Sequence, residues 1–253
     1  MIIATAVIKP HKLAIITGTS SGIGAGLAQT LLEREWFVLG LARRKVEFDS
    51  PFYQHIQTDL SDHQTLVDST LHAIRKVLDQ PGWSRVALVN NAAAIGTLRG
   101  LTDIPAAKLS QLFDINVIAP GLLMGFIAKH VSSRTWLRIV NVSSGAAHRG
   151  IPGLADYSGS KAALRLMGMS LSAEFEASQR STASVMSYEP GIVDTEMQVQ
   201  ARQPDDDFPS QQIFQDFHTS GSLQPVSAVI DEMIVFLESA ECSFFSEKRF
   251  QPA

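Results

Sequence analysis

The sequence predicts an α/β protein with a doubly wound parallel sheet, folded as a single domain over residues 1–253. Short runs rich in Val, Ile and Leu alternate with longer stretches of helical period, and glycines follow the first run. Strands alternating with helices favour right-handed crossovers and a buried parallel sheet covered on both faces. Such sheets bind ligands at the carboxyl ends of their strands, so we expect a site there.

The elements are expected in the following order. Six buried strands are predicted at residues 13–18, 36–42, 53–59, 85–92, 138–144 and 182–190. Helical period predicts helices at residues 22–34, 61–79, 105–130 and 155–178. Residues 194–224 form a long connection with aromatic side chains in a polar segment. They either make scattered core contacts or form a substrate lid within the domain.

Composition argues against several kinds of partner and site. A formal net charge of −4 gives no electrostatic reason to expect a nucleic-acid partner. The scattered histidines predict no metal site, and a single cysteine, Cys242, excludes an internal disulfide. The opening residues MIIATAVIKPHK are apolar, but they lack a basic start and are too short for a signal peptide or membrane span. We expect a cytoplasmic protein with no membrane partner.

A glycine-rich segment of the form G-x-x-x-G-x-G joins the first predicted strand to the first predicted helix. Glycines at these positions allow a tight turn and let the backbone touch a pyrophosphate, and the helix N-terminus favours an anion. A purely structural turn is the alternative, but the placement at the first crossover favours dinucleotide binding. The residues expected to bind it are Gly18, Ser20, Ser21, Gly22, Ile23 and Gly24.

The end of the second predicted strand indicates which coenzyme is used. Enzymes that use NAD usually carry an acidic residue there, which binds the adenosine ribose. This chain has Ala42, followed by Arg43 and Arg44. Because an arginine fork suits a 2′-phosphate, the pair predicts NADP, although a solvated surface pair is the alternative. Asp59 and Leu60, at the end of the third strand, are then expected to lie against the adenine.

Two further patterns bring polar side chains to a predicted helix. Tyr157 and Lys161 are four residues apart, so both side chains can reach one point in space, although a lone pair of this kind is usually a solvated surface feature. Asn116 lies on the apolar side of LSQLFDINVIAPGLL, and Pro120 follows it by four residues. Since proline has no N–H, the Asn116 carbonyl loses its helical partner, which indicates either a simple kink or a carbonyl that holds a water.

Together these segments resemble the short-chain dehydrogenase/reductase family, with its Rossmann-type fold, over nearly the whole chain. The family's ordered motifs are T-G-x-x-x-G-I-G, N-N-A-G, a helix Asn, a catalytic Ser, Y-x-x-x-K and P-G-x-x-x-T. They match residues 17–24, residues 90–93, Asn116, the serines of NVSSG, residues 157–161 and residues 190–195. Ala93 stands where the family prefers glycine, and we expect only a small local shift from its methyl group.

The resemblance implies an oxidoreductase that transfers hydride between NADP(H) and a carbonyl carbon. It implies that Tyr157 gives the proton, that Lys161 and the oxidised nicotinamide lower the tyrosine pKa, and that Lys161 binds the nicotinamide ribose. Ser144, 13 residues before Tyr157, holds the substrate oxygen, Ser143 lines the cofactor side, and Asn116 supports a water that links the lysine to solvent. The motifs add to the cofactor site Asn91, Ala92, Pro190, Gly191, Val193 and Thr195.

The last third narrows the resemblance to a branch that contains sepiapterin reductases and benzil reductases. EPGIVDTEMQ and HTSGSL are similar to that branch, but Arg249 and Phe250 stand where pterin-reducing members carry an Asp before an aromatic residue. The sequence therefore predicts reduction of an apolar, aromatic ketone or vicinal diketone. If this alignment is shifted by one or two residues, Glu247 takes the anchor position, and a pterin becomes the expected substrate. Further alternatives are an alcohol dehydrogenase and a non-catalytic NADP-binding protein.

The helix that begins near Tyr157 predicts self-association. It carries two apolar rows, of which the sheet can cover one. Family members commonly pair this helix across a two-fold axis, so we expect a homodimer or a higher homo-oligomer. The first row is Leu164, Met167, Leu171 and Phe175, and the second is Ala162, Leu166, Met169 and Ala173.

Overall fold

Parallel strands form one sheet in the order β3-β2-β1-β4-β5-β6-β7. The computed structural model describes residues 10–204 and 207–251. Its strands are β1 (Lys12–Thr17), β2 (Phe37–Ala42), β3 (Tyr53–Gln57), β4 (Arg85–Asn90), β5 (Trp136–Val142), β6 (Ala183–Glu189) and β7 (Phe245–Arg249). All neighbouring strands run parallel. The strand order reverses beside β1 and β4, which opens a crevice at their carboxyl ends.

Helices cover both faces of this sheet. In the described residues they are α1 (Gly22–Glu33), α2 (His63–Thr65), α3 (Leu71–Leu78), α4 (Ala106–Phe113), α5 (Ala119–His130), α6 (Ala155–Ala177), α7 (Glu196–Arg202), α8 (Gln211–Thr219) and α9 (Val226–Glu238). π-Helical turns at Leu66–Thr70 and Asp114–Ile118 join α2 to α3 and α4 to α5. Short 3₁₀ turns lie at Leu101–Asp103 and Gly145–Ala147.

The predicted fold class is confirmed, and every predicted strand and helix is present. Five of the six predicted strands end one or two residues earlier than expected, because the residues that follow turn out of the sheet to line the crevice. The predictions did not include β7, α7, α8 or α9. The opening segment MIIATAVIKPHK falls mostly on residues 1–9, outside the described residues.

The core lies in two layers, one on each face of the sheet. Along β1, Leu13 and Ile15 face the layer that contains residues of α3, α5 and α6, while Ala14 and Ile16 face the layer that contains residues of α1 and α9. This alternation is the period of two that a strand imposes on its side chains. Because both faces are buried, the strands appear in the sequence as continuous apolar runs.

One stretch in the described part of the chain, Ala106–His130, is long and apolar enough to cross a membrane by length and composition. A core helix passes the same test. Leu123 and Ile127, in α5, are fully buried against the sheet. The apolar character of this stretch is therefore accounted for by its packing in the core.

Candidate active site

A cavity of about 760 Å³ opens at the carboxyl ends of the strands. It brings together nearly all of the residues predicted for cofactor binding and catalysis. Those that line it are Gly18, Ser20, Ser21, Gly22, Ile23, Arg43, Arg44, Asp59, Leu60, Asn91, Ala92, Ser144, Tyr157, Lys161, Pro190, Gly191, Val193 and Thr195. Gly24 and Asn116 were predicted for the site but do not line the cavity.

The glycines between β1 and α1 adopt the conformations that the motif requires. Gly18 and Gly22 have φ values of +77° and +57°, in the left-handed region that glycine tolerates best. A Cβ on Gly22 would approach Thr195 Cγ2 to 3.3 Å, so the residue predicted from the P-G-x-x-x-T motif lies at the turn. A Cβ on Gly24 would lie 2.3 Å from the Gly18 carbonyl oxygen. Gly24 therefore lets α1 approach the turn closely.

Asn91 and Thr17 hold this turn in place. The Asn91 side-chain amide donates to the Thr17 carbonyl at 2.9 Å, and Thr17 Oγ1 accepts from the backbone N–H groups of Asn91 at 3.0 Å and of Ala92 at 2.9 Å. The Asn91 side chain thus binds the chain's own backbone across β1 and β4. Thr17 was part of the recognised motif, but sequence reasoning assigned it no role.

The arginines predicted to select NADP lie beside the start of α1. Arg44 Nη2 donates to Ser20 Oγ at 3.2 Å and to Ser21 Oγ at 3.4 Å, and both arginine side chains are exposed. Ala42 ends β2. Asp59 is oriented by its Oδ1, which accepts from the backbone and hydroxyl of Ser61 at 2.9 and 2.8 Å. Cationic and hydroxyl groups therefore converge on the cavity wall next to β2.

Two features of the cavity fit a nicotinamide dinucleotide. The start of α1 has no side-chain cap and no acidic residue in its first turn, so its N-terminus is suited to a phosphate. Ser143, on the cavity wall, has a buried hydroxyl with no hydrogen-bond partner among the described residues. A bound polar ligand removes the cost of that unpaired hydroxyl.

Tyr157, Lys161 and Ser144 lie together below this wall. Lys161 Nζ donates to the Val142 carbonyl at 2.8 Å and lies 5.7 Å from the centre of the Tyr157 ring. Both side chains are buried. Ser144 precedes the 3₁₀ turn Gly145–Ala147, and its Oγ accepts from the Ala146 N–H at 3.2 Å. The helical spacing of tyrosine and lysine thus brings both to the same point.

Burial controls the titration of this pair in the chain alone. It raises the pKa of Tyr157 to about 12, against the smaller, opposite effect of a hydrogen bond with Ser144. It lowers the pKa of Lys161 to about 8. Positive charge was expected to lower the tyrosine pKa towards neutrality, but in this structure desolvation of the buried phenol raises that pKa. At neutral pH Tyr157 is therefore a neutral phenol, the form that can give a proton.

Asn116 lies behind the cavity, at the expected interruption of the helix. In the π turn Asp114–Ile118, the Ala119 N–H donates to the Asp114 carbonyl. The buried Asn116 amide accepts from Ala94 N and donates to Ala94 O, each at 2.9 Å, and also donates to Ser160 Oγ at 3.0 Å. Ser160, which sequence reasoning missed, donates to the Tyr157 carbonyl at 2.7 Å. Asn116 thus ties the segment after β4 to α6.

Residues of the predicted lid form an apolar wall of the cavity. Met197, Phe214 and Phe217 line it, and Phe208 is buried in a cluster with Tyr157. The Tyr157 hydroxyl donates to Met197 Sδ at 3.9 Å. Leu223 does not line the cavity. The segment lies over the predicted proton donor, as a lid would.

The residues considered for pterin binding lie on strand β7, beside the carboxyl end of β6. Arg249 lines the cavity, whereas Glu247 does not and is paired with Arg165 of α6. Glu189, the last residue of β6, does line the cavity. Sequence reasoning passed over Glu189, although its place directly before Pro190 was a signal. Among the described residues, no group of three or more His, Cys, Asp or Glu side chains is placed to hold a metal ion.

Comparison with known proteins shows the family to which this chain belongs. The family model for short chain dehydrogenases matches residues 12–206, so the chain belongs to that family of oxidoreductases. A benzil reductase ((S)-benzoin forming) from Bacillus subtilis is 28% identical over 229 residues, 90% of this chain and 93% of the relative.

Two solved structures, each under 25% identical, share the fold. ElxO with NADP bound is 22% identical with a TM-score of 0.76, covering 94% of this chain and 96% of that chain. A 4-hydroxyisoleucine dehydrogenase mutant complexed with NADH and succinate is 21% identical with the same TM-score of 0.76 and the same coverage of 94% and 96%. The shared fold thus accommodates either nicotinamide coenzyme.

Proposed function

We propose that this protein reduces an apolar, aromatic ketone or vicinal diketone to an alcohol with NADPH. The observation that carries the proposal is the convergence of Tyr157, Lys161 and Ser144 in one cavity with the glycine-rich turn after β1. When bound, NADPH supplies the hydride for the carbonyl carbon. The relatedness to a benzil reductase supports a carbonyl substrate.

The residues of the site supply the proton that the carbonyl oxygen receives during reduction. As charge develops on the carbonyl oxygen, Ser144 donates a hydrogen bond to that oxygen and Tyr157 transfers its phenolic proton there. Lys161, when protonated, stabilises the phenolate that Tyr157 becomes. For the lysine to bind a ribose hydroxyl, its ammonium turns from the Val142 carbonyl or shares its donors between them.

We further propose a preference for NADPH over NADH. Ala42 leaves no carboxylate at the end of β2, and Arg43 and Arg44 line the cavity there. Guanidinium groups suit a 2′-phosphate, which only NADP(H) carries. Arg44 is already oriented by Ser20 and Ser21, so fewer of its rotamers are lost on binding.

The apolar wall supports an aromatic substrate. Ile95, Ile151, Leu154 and the lid side chains line the cavity near Tyr157. Each Å² of apolar substrate surface removed from water gains about 25 cal/mol, so a phenyl group has a clear source of affinity. We propose that residues 194–224 form a lid within a single domain, with Met197 leaving Tyr157 when substrate enters.

A substrate panel tests this function. NADPH consumption, read as absorbance loss, is measured with benzil-like diketones, aryl ketones and sepiapterin on one enzyme preparation, and repeated with NADH. We expect the highest kcat/KM for diketones and a clear preference for NADPH. A tenfold preference for sepiapterin overturns the substrate class, equal use of NADH overturns the coenzyme, and no consumption with any carbonyl favours a non-catalytic NADP-binding protein.

A further inference from the structure

A charged cluster lies beside the predicted catalytic serine on the cavity wall. Glu189 ends β6, and its side chain is 13% exposed. Its carboxylate lies beside Gly145, the residue that follows Ser144, because a Cβ built on Gly145 would be 3.7 Å from Glu189 Oε2. Glu189, Ser144 and Tyr157 line the same cavity. The carboxylate therefore lies on the wall of the cavity that contains the predicted proton donor.

The basic side chains around Glu189 reach it from the solvent side. His148 Nε2 lies 2.6 Å from Oε1, and Arg249 Nε lies 3.9 Å from Oε2, too far for a hydrogen bond. Their side chains are 42% and 72% exposed. Arg165, on α6, is close enough for the Glu189 charge to raise its pKa, but its guanidinium is hydrogen-bonded to Glu247. The contacts with His148 and Arg249 hold the Glu189 carboxylate in place on the cavity wall.

Glu189 retains acceptor capacity towards the cavity. An ionised carboxylate can accept about four hydrogen bonds, and His148 approaches only Oε1, one of its two oxygens. Within residues 10–204 and 207–251, the polar contact of Oε2 is the long one with Arg249, and Oε2 is the oxygen near Gly145. A hydroxyl on the substrate is a suitable donor for it. A substrate without a donor leaves this oxygen unpaired when it displaces water from the pocket.

We propose that Glu189 is a specificity residue that accepts a hydrogen bond from a hydroxyl on the carbon next to the reacting carbonyl. This inference rests on the proposed reductase function and deepens it. It names α-hydroxyketones as a favoured substrate class within the aryl ketones. A vicinal diketone carries no such hydroxyl, so Glu189 discriminates among aryl monoketones, and the affinity for diketones rests on the apolar wall.

The test compares two ketones that differ only in the donor. The kcat/KM values for 2-hydroxyacetophenone and for acetophenone are measured with NADPH for the wild-type protein, for Glu189→Ala and for Glu189→Gln. We expect Glu189→Ala to lower the ratio of the two values by about tenfold or more, as for the loss of a hydrogen bond to a charged group. Glu189→Gln keeps an acceptor oxygen and should lower the ratio less.

Glu247→Gln is the matched control. This variant removes a carboxylate that pairs with Arg165 but does not line the cavity. The ratio of the two kcat/KM values should therefore stay at the wild-type value. Unfolding temperature and NADPH affinity confirm that each variant is folded. An unchanged ratio in Glu189→Ala, or an equal fall in Glu247→Gln, overturns the proposal. Failure of the wild-type protein to reduce any carbonyl instead overturns the proposed function, and this inference with it.

Discussion

The Tyr157 phenol is buried beside Lys161 and within hydrogen-bonding reach of Ser144. Replacing Tyr157 with Phe keeps the ring and its packing but removes the proton. We expect Tyr157→Phe to lower kcat by at least about 10²-fold, the usual cost of losing a general acid, and to leave NADPH affinity nearly unchanged. Steady-state kinetics and a fluorescence titration with NADPH measure the two effects. A variant with more than about a tenth of wild-type turnover would mean that another group is the acid.

The depressed pKa of Lys161 makes a prediction about pH. Burial disfavours the ammonium, so the lysine is charged below its pKa of about 8 and neutral above it. Because the charge stabilises the tyrosinate, kcat/KM for ketone reduction should be level below about pH 8 and fall above it. Tyr157, with a pKa of about 12, stays protonated through this range.

A kcat/KM profile from about pH 6 to pH 10 checks the role of Lys161. Lys161→Arg is the companion variant, since a guanidinium stays charged and should move the fall to higher pH even if turnover is reduced. A level wild-type profile over the whole range contradicts the prediction.

The two arginines at the end of β2 make a prediction about the coenzyme. Arg43→Asp removes a cation from the cavity wall and adds an anion that repels the 2′-phosphate. We expect NADPH binding to weaken by about 2 kcal/mol and NADH binding to improve slightly. Titrations with both coenzymes measure the changes, with Arg44→Asp in parallel. A loss in Arg44→Asp alone would show that Arg44, which the serines orient, is the phosphate ligand.

At the scale of single elements, Asn116 joins the π turn to two other segments. Its amide is the partner of Ala94, after β4, and of Ser160, in α6. Asn116→Ala leaves these buried groups unpaired, so the free energy of unfolding should fall by about 2–3 kcal/mol. Urea denaturation measures it, with Gln111→Ala, at an exposed position of α4, as the control. An unfolding free energy equal to that of the wild type contradicts the proposed stabilising role of Asn116.

How far the elements could be predicted depends on their burial. Strands β1, β2, β4, β5 and β6 are buried on both faces, so their apolar runs were readable. Strand β7 lies at the sheet edge with the sequence FSEKR, in which Glu247, Lys248 and Arg249 are exposed. An edge strand needs no continuous apolar run, so its composition resembles that of a loop.

Some parts of the site depend on local spacing in the chain, and others depend on the tertiary fold. The glycine turn and the pair Tyr157 and Lys161 depend on local spacing, which a sequence shows directly. The cluster of Glu189, His148 and Arg249 joins the end of β6, the segment after β5 and the end of β7. Its residues are far apart in the chain, and only the strand order brings them together. The orientation of the Asn91 amide is likewise a tertiary contact.

At the scale of the whole molecule, α6 shows which apolar row the sheet covers. Leu164 and Phe175 of the first row are buried. Met167 was expected in that row but is 38% exposed, because the covered row passes through Gly168, where a Cβ would lie 2.7 Å from Asn141 Nδ2. In the second row, Leu166 and Met169 are 56% and 37% exposed. The outer face of α6 is therefore apolar and uncovered in a single chain.

This outer face of α6 is the basis for the predicted homodimer. Ile118, the last residue of the π turn before α5, is also exposed, and the Met167 methyl group packs directly over Gly121 of α5. Apolar side chains next to and along α6 thus form one surface, and a second copy can bury it by a two-fold, self-complementary contact.

Leu166→Asp places a charge at the centre of this surface. We expect the wild-type protein to have at least twice the mass of one chain by light scattering, and Leu166→Asp to shift towards the monomer. Val67→Asp changes an exposed apolar side chain of the α2–α3 stretch and should leave the mass unchanged. A monomeric wild-type protein, or a Leu166→Asp variant that stays dimeric, contradicts the prediction.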